Sequence, residues 1–184
     1  KIVIMPTWRP WEFNLLRVDA KDAPYYKMLQ DIISSIPKEY KNKIILLPHP
    51  LVINNIRTTK LKKYIKDNVS YDDILRDTAV LITDYSSIAY DAFYRGANVI
   101  FWWKEKDFCM EQYNGHLMLN EDNVFGPVCY KSGDLTKAIK NTYLKEQSKD
   151  DVAKYRKIVE FHDNKNTERL IEYLQKDKIL KKVK

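Results

Sequence analysis

Apolar positions along this chain fall into two patterns. Short runs are hydrophobic on consecutive residues, and the longer stretches between them carry hydrophobic residues at helical spacing. The runs Lys1–Met5, Lys43–Leu47, Val80–Thr83 and Asn98–Trp102 are of the first kind, as expected of parallel strands covered on both faces, and a further short strand is predicted near Pro127–Tyr130. Tyr25–Ile36 is of the second kind, with Met28, Leu29, Ile32, Ile33 and Ile36 on one stripe and Pro37 as its stop signal. Helices are also predicted over Asp72–Asp77, after Ser87, and over Asp134–Leu144, Asp151–Phe161 and Asn166–Gln175. Met5 to Tyr25 reads as a long polar segment. Val52–Ile65 has no assigned element but carries a basic face at Lys60, Lys62 and Lys63. Alternating strands and helices predict an α/β fold, a Rossmann-like parallel sheet with helices on both faces, over residues 1–184 as a single domain.

The chemistry gathers where the strands end. Ala79–Arg95 reads AVLITDYSSIAYDAFYR, a buried strand that turns into a helix through Asp84, Tyr85, Ser86 and Ser87. Such a junction offers backbone N–H groups, hydroxyls and the positive end of a helix dipole to an anion. The plainer reading is that the serines only cap the helix. The second strand runs into Pro48-His49-Pro50, where the prolines stiffen the loop that presents the imidazole. The first runs into Thr7, Trp8 and Arg9, which add a hydroxyl and a guanidinium, although Arg9 also suits a surface salt bridge. Asp84 and Asp91 fit three roles: binding hydroxyls, capping a helix, or orienting Tyr85 and Tyr90. In an open α/β sheet, strand carboxyl ends are where ligands bind.

Composition narrows the classes of function. The 184 residues are 45% hydrophobic and 31% charged, an ordinary globular balance. No apolar run approaches the roughly 20 residues of a membrane span. No secretory signal precedes the first strand, and a chain that opens directly in a strand suggests a segment of a longer protein. Cys109 and Cys129 are too few for a disulfide framework and fit a reducing cytosol. His49, His116 and His162 lack metal-ligand spacing, so no bound transition metal is expected; a divalent cation accompanying a pyrophosphate is compatible with Asp84 and Asp91. The four glycines include no GxGxxG, and no Walker A sequence is present, which argues against dinucleotide-dependent hydride transfer and P-loop chemistry. The net charge of +7 favours anionic partners. Without a nucleic-acid-binding motif, no nucleic acid is expected. Lys176, Lys178, Lys181, Lys182 and Lys184 make residues 176–184 a basic tail, read as a solvated helix end or a contact with an anionic membrane surface.

The ordered set PTWR, PHP, LITDYSS with YD in the next helix, FGP and FHDNKNTERLIEYL resembles the CDP-glycerol glycerophosphotransferase family of teichoic-acid and capsule synthesis. The resemblance implies the GT-B architecture, two Rossmann-like domains facing across a cleft, with this chain similar to the C-terminal, donor-binding half. It implies transfer of glycerol phosphate from CDP-glycerol to a hydroxyl of an anionic polymer, with release of CMP, at the cytoplasmic face of the membrane. By resemblance, Thr7, Arg9, His49, Asp84, Tyr85, Ser86, Ser87 and Asp91 form the donor site. Ser86 and Ser87 would hold phosphate oxygens, Arg9 would complete the anion site, and His49 would act catalytically by donating to the pyrophosphate as CMP leaves. The catalytic base is expected from the absent N-terminal domain, so this chain alone is expected to be inactive. An acidic residue after the fourth strand is matched by Asp107, but Asn114-Gly115 stands where an arginine-glycine pair is usual. Asn120, Glu121 and Asp122 lie where the donor loop falls, and Phe101, Trp102 and Trp103 read as core plus an exposed interface to the other half. Related donors such as CDP-ribitol or a nucleotide sugar, and a nucleotide-binding module without chemistry, remain alternatives.

Overall fold

In the computed structural model, described for residues 1–66, 70–177 and 179, the strands are β1 (Ile2–Ile4), β2 (Ile44–Leu46), β3 (Val80–Thr83), β4 (Asn98–Trp102) and β5 (Val128–Cys129). They form one parallel sheet in the order β2-β1-β3-β4-β5. The helices are α1 (Phe13–Val18), α2 (Pro24–Ser35), α3 (Pro50–Arg57), α4 (Tyr71–Arg76), α5 (Ile88–Tyr94), α6 (Lys106–Gln112), α7 (Ser132–Thr142), α8 (Lys149–Arg156) and α9 (Asn166–Lys176).

Side chains alternate across a strand, so each strand feeds two cores. Ile2, Ile4, Leu46, Val80, Ile82, Ile100 and Trp102 face α1, α2, α3 and α7, whereas Val3, Ile45, Leu81, Val99, Phe101 and Trp103 face α4, α5 and α8. Helices on both faces of a parallel sheet explain why these strands are apolar at every position but the buried Thr83 and Asn98. The architecture is Rossmann-like.

Three features depart from the sequence expectations. The segment after Met5 is a 3-10 turn, Pro10–Glu12, followed by α1, because Glu12 and Leu16 are drawn inside. Val52–Ile65 resolves into most of α3 and a 3-10 turn, Lys60–Tyr64, and α6 is a helix that the pattern did not mark. Phe101, Trp102 and Trp103 are all buried, alternating between the two cores, so the expected exposed aromatic surface is not there. Of the basic tail, Lys178 and residues 180–184 lie outside the described residues.

Gly126 earns its place by close approach. A Cβ there would collide with the carbonyl oxygen of Val99, so glycine lets Phe125-Gly126-Pro127 lie against β4. Pro127 then accepts the Phe101 N–H at 2.8 Å, which begins the β5 pairing. Phe125 fills the second core against Phe93, Phe101 and Tyr155. The late FHDN motif is also structural: His162 Nε2 lies 2.8 Å from the Tyr94 carbonyl, and Arg169 pairs with Asp163 and covers the Phe161 ring.

Candidate functional site

The chain leaves β1 to build β2 on one side and then returns to build β3 on the other. The connections beyond the carboxyl ends of β1 and β3 therefore diverge at this switch of strand order, the place where open α/β sheets form a ligand crevice. Thr7 stands on one lip and Asp84 on the other. Asp84 Oδ1 accepts the N–H of Thr7 at 2.7 Å and that of Tyr85 at 2.6 Å, and its main-chain carbonyl accepts Trp103 Nε1 at 3.0 Å. Thr83 Oγ1 donates to the Met5 carbonyl at 2.8 Å one step below. Asp84 is thus a clamp between the two loops. Of the roles the sequence left open, orientation of Tyr85 is the one these bonds provide. Burial pushes the Asp84 carboxyl up from its ordinary range, against the opposing pull of the Thr7 and Tyr85 bonds and the Arg9 charge. Its second oxygen and the Thr7 hydroxyl are buried without a hydrogen-bond partner among the described residues, leaving capacity for a ligand or an ordered water.

Ser86 and Ser87 lie at the next turn, half-buried and exposed respectively. Ser87 makes no side-chain cap bond, and Ser86 Oγ accepts only a long bond, 3.5 Å, from the Ile88 N–H. Capping therefore uses little of their hydroxyl capacity. His49 is held more firmly. It is the N-cap of α3, with Nδ1 accepting the Leu51 N–H at 3.3 Å, and its ring stacks on Trp8 at 5.3 Å with planes 20° apart. With Nδ1 engaged as an acceptor, Nε2 is the ring nitrogen left to donate.

Arg9 departs from its expected place. It is 2% exposed, with Nη1 at 2.6 Å from Glu105 Oε2 and 3.5 Å from Glu12 Oε1, and Nη2 at 3.0 Å from Met28 Sδ. This is neither a surface salt bridge nor an open anion ligand. Burial works against the guanidinium charge, but Glu105, Cys109 and Asp84 more than offset it and hold the group above its ordinary value. Glu12 in turn accepts the Tyr25 N–H at 2.6 Å, tying the β1 loop to the start of α2. Arg9 therefore braces the β1 loop from the interior by tying it to Glu105, and its field reaches Asp84 and Tyr85. Asp91 is exposed on α5 and is not brought into the Thr7–Asp84–Tyr85 group. Sequence reading did not find Glu12, Tyr25, Glu105 and Trp103, since they come from separate segments with no shared spacing.

Among the described residues, no group of three or more His, Cys, Asp or Glu side chains could hold a metal ion. Beyond β4 and β5, Lys106 lies over the Trp103 ring and pairs with Glu121 at 2.7 Å, while Tyr130 donates to the same carboxylate at 2.6 Å. Those two bonds pull the Glu121 carboxyl down to about 2. Asn120 Oδ1 accepts the N–H groups of Asp122 and Asn123, so this loop closes on itself.

Residues 1–176 match the family described as CDP-Glycerol:Poly(glycerophosphate) glycerophosphotransferase. The chain belongs to this family. Among its curated relatives, the minor teichoic acid biosynthesis protein GgaB of Bacillus subtilis (strain 168) is 26% identical over 200 residues, covering 92% of this chain and 21% of that protein. The teichoic acid poly(glycerol phosphate) polymerase of Bacillus spizizenii is 25% identical over 178 residues, covering 94% and 44%. The solved wall teichoic acid polymerase TagF shares the fold with a TM-score of 0.62 at 23% identity, over 96% of this chain and 43% of that one. The chain thus spans less than half the length of each of these proteins. Within the family match lie both lips of the crevice, the His49 loop and the serine turn.

Proposed function

We propose that the crevice between the β1 and β3 loops binds the pyrophosphate of CDP-glycerol. In this reading the chain is the donor-binding half of an enzyme that transfers glycerol phosphate to a hydroxyl of an anionic glycerol-phosphate polymer, releasing CMP. The observation that carries the reading is the clamp of Asp84 on Thr7 and Tyr85, which sets hydroxyls with unused bonding capacity at the switch of strand order in a chain of this family. Ser86, Ser87 and Thr7 donate to phosphate oxygens, and His49 Nε2–H donates to the leaving phosphate, stabilising charge as the bond to CMP breaks. Arg9 contributes field rather than contact. The base that takes the acceptor proton belongs to a second Rossmann-like domain, so this chain alone binds donor without turning it over. A TagF variant has been soaked with CDPG, which is consistent with a donor of this class for the shared fold. Any divalent cation arrives on the pyrophosphate rather than residing in the protein. Work at the inner face of the cell membrane is part of the same proposal; among the described residues no helix is long and apolar enough to cross a bilayer.

Calorimetric titration with CDP-glycerol, CDP-ribitol, CDP and UDP-sugars, with and without EDTA, tests this directly. CDP compounds are expected to bind selectively, to bind in EDTA, and to lose at least about tenfold in affinity in the Ser86→Ala/Ser87→Ala variant. Equal binding of UDP-sugars, or full affinity in the double variant, would overturn the assignment.

A further inference from the structure

A second basic feature lies away from the crevice, at the β2 edge of the sheet. There the 3-10 turn Lys60–Tyr64 leads into Ile65, which bridges Leu46 in parallel. The turn is well anchored: Thr59 Oγ1 accepts the Leu61 N–H at 3.1 Å and donates to the Ile56 carbonyl at 2.6 Å, and Leu61 is buried. Lys60, Lys62 and Lys63 are therefore held on a rigid support and directed outward. Between this turn and the end of α3 opens a cavity of about 640 Å³ lined by Arg57, Lys60, Lys62, Lys63 and Ile65. Among the described residues its walls carry no carboxylate, and Lys60, Lys62 and Lys63 form no ion pair, while Arg57 beside them is already engaged, as in its bond to Asn54 Oδ1. The crowding extends further. The Lys41 ammonium is pushed down first by burial and then by the charge of Lys63. Like charges collected on one wall repel one another and raise the local potential, which an anion relieves.

We propose that this pocket binds phosphodiester groups of an anionic polymer, as a site separate from the donor crevice. Shape favours a polymer over a membrane, because the cations line a concavity whose apolar wall is Ile65, whereas a flat bilayer is met by protruding cations beside exposed apolar groups. Several unpaired ammonium groups on one wall suit a polyanion. That the polymer is a glycerol phosphate chain rests on the function proposed above; the preference for phosphodiesters does not.

The test is titration of the whole chain with a short poly(glycerol phosphate) oligomer, with phosphatidylglycerol vesicles and, separately, with CDP-glycerol. The oligomer is expected to bind, more weakly as salt rises. Its affinity should fall at least about tenfold in Lys60→Glu/Lys62→Glu/Lys63→Glu, with CDP-glycerol binding unchanged. Lys62→Gln/Lys63→Gln serves if charge reversal unfolds the protein, with a smaller loss in the same direction. Oligomer affinity indifferent to these lysines overturns the pocket, as does lysine-dependent binding of vesicles without binding of oligomer. If the oligomer binds through the lysines while CDP-glycerol does not bind at all, the pocket stands and the donor reading falls.

Discussion

Asp84 shows how much one buried carboxylate can organise. Its folded pKa is raised above the ordinary value of 3.8, so the fold favours the protonated form. The stability this provides is complete below that value and is lost as pH rises through the folded pKa. Asp84→Asn cannot ionise and lacks this component. The stability of the natural chain relative to the variant, from denaturant melts at several pH values, should therefore fall as pH rises; a difference constant with pH would refute the assignment. Arg9 makes a different prediction. Replacing it with Met strands Glu12 in the interior without its partner, and loss of about 3 kcal/mol is expected in urea unfolding. A cost below about 1 kcal/mol would mean that the ion pairs do not brace the β1 loop. At this scale the sequence was legible where a role is local. His49 between two prolines and the serine turn could be read from their neighbours, but Arg9 could not, because Glu105 lies 96 positions away.

Elements were legible in proportion to how strongly burial repeats along them. Val80–Thr83 and Asn98–Trp102 fall where the apolar runs place them, since a strand covered on both faces is apolar along nearly its whole length, here all but Thr83 and Asn98. α1 and α6 escaped the pattern because each is short and buries little: Leu16 is the buried residue of one and Cys109 of the other. α8 stops at Arg156 rather than Phe161, where the N–H groups of Ile158 and Val159 both turn back to the Tyr155 carbonyl. The connection into β5 makes the sharpest prediction at this scale. Gly126→Ala places a methyl group against the Val99 carbonyl, and backbone cannot yield as a flexible side chain does. A loss of at least about 2 kcal/mol is expected in thermal or denaturant unfolding, from strain and from loosening of Phe125 in the second core. An unchanged melting temperature would show that the segment can move away from β4.

Taken whole, the molecule places its chemistry by topology. His49, Thr7 and the serine turn follow three neighbouring strands, β2, β1 and β3, which all point the same way, so their loops share one end of the sheet. In the proposed two-domain enzyme, His49→Ala is expected to reduce acceptor-dependent CMP release by at least about a hundredfold, while CDP-glycerol still binds. Release at the natural rate would remove His49 from the reaction. The amino-acid sequence by itself determined the strands, the alternation that makes the sheet parallel, the family and the loops that carry polar groups, because each depends on residues close together along the chain. Tertiary structure alone decided that Asp84 clamps two loops, that Arg9 is an interior ion-pair hub, that Asp91 stands apart and that the three aromatic residues after Ile100 are buried. Those outcomes depend on which strand lies beside which, and contacts between segments nearly a hundred residues apart leave no period or spacing in the chain.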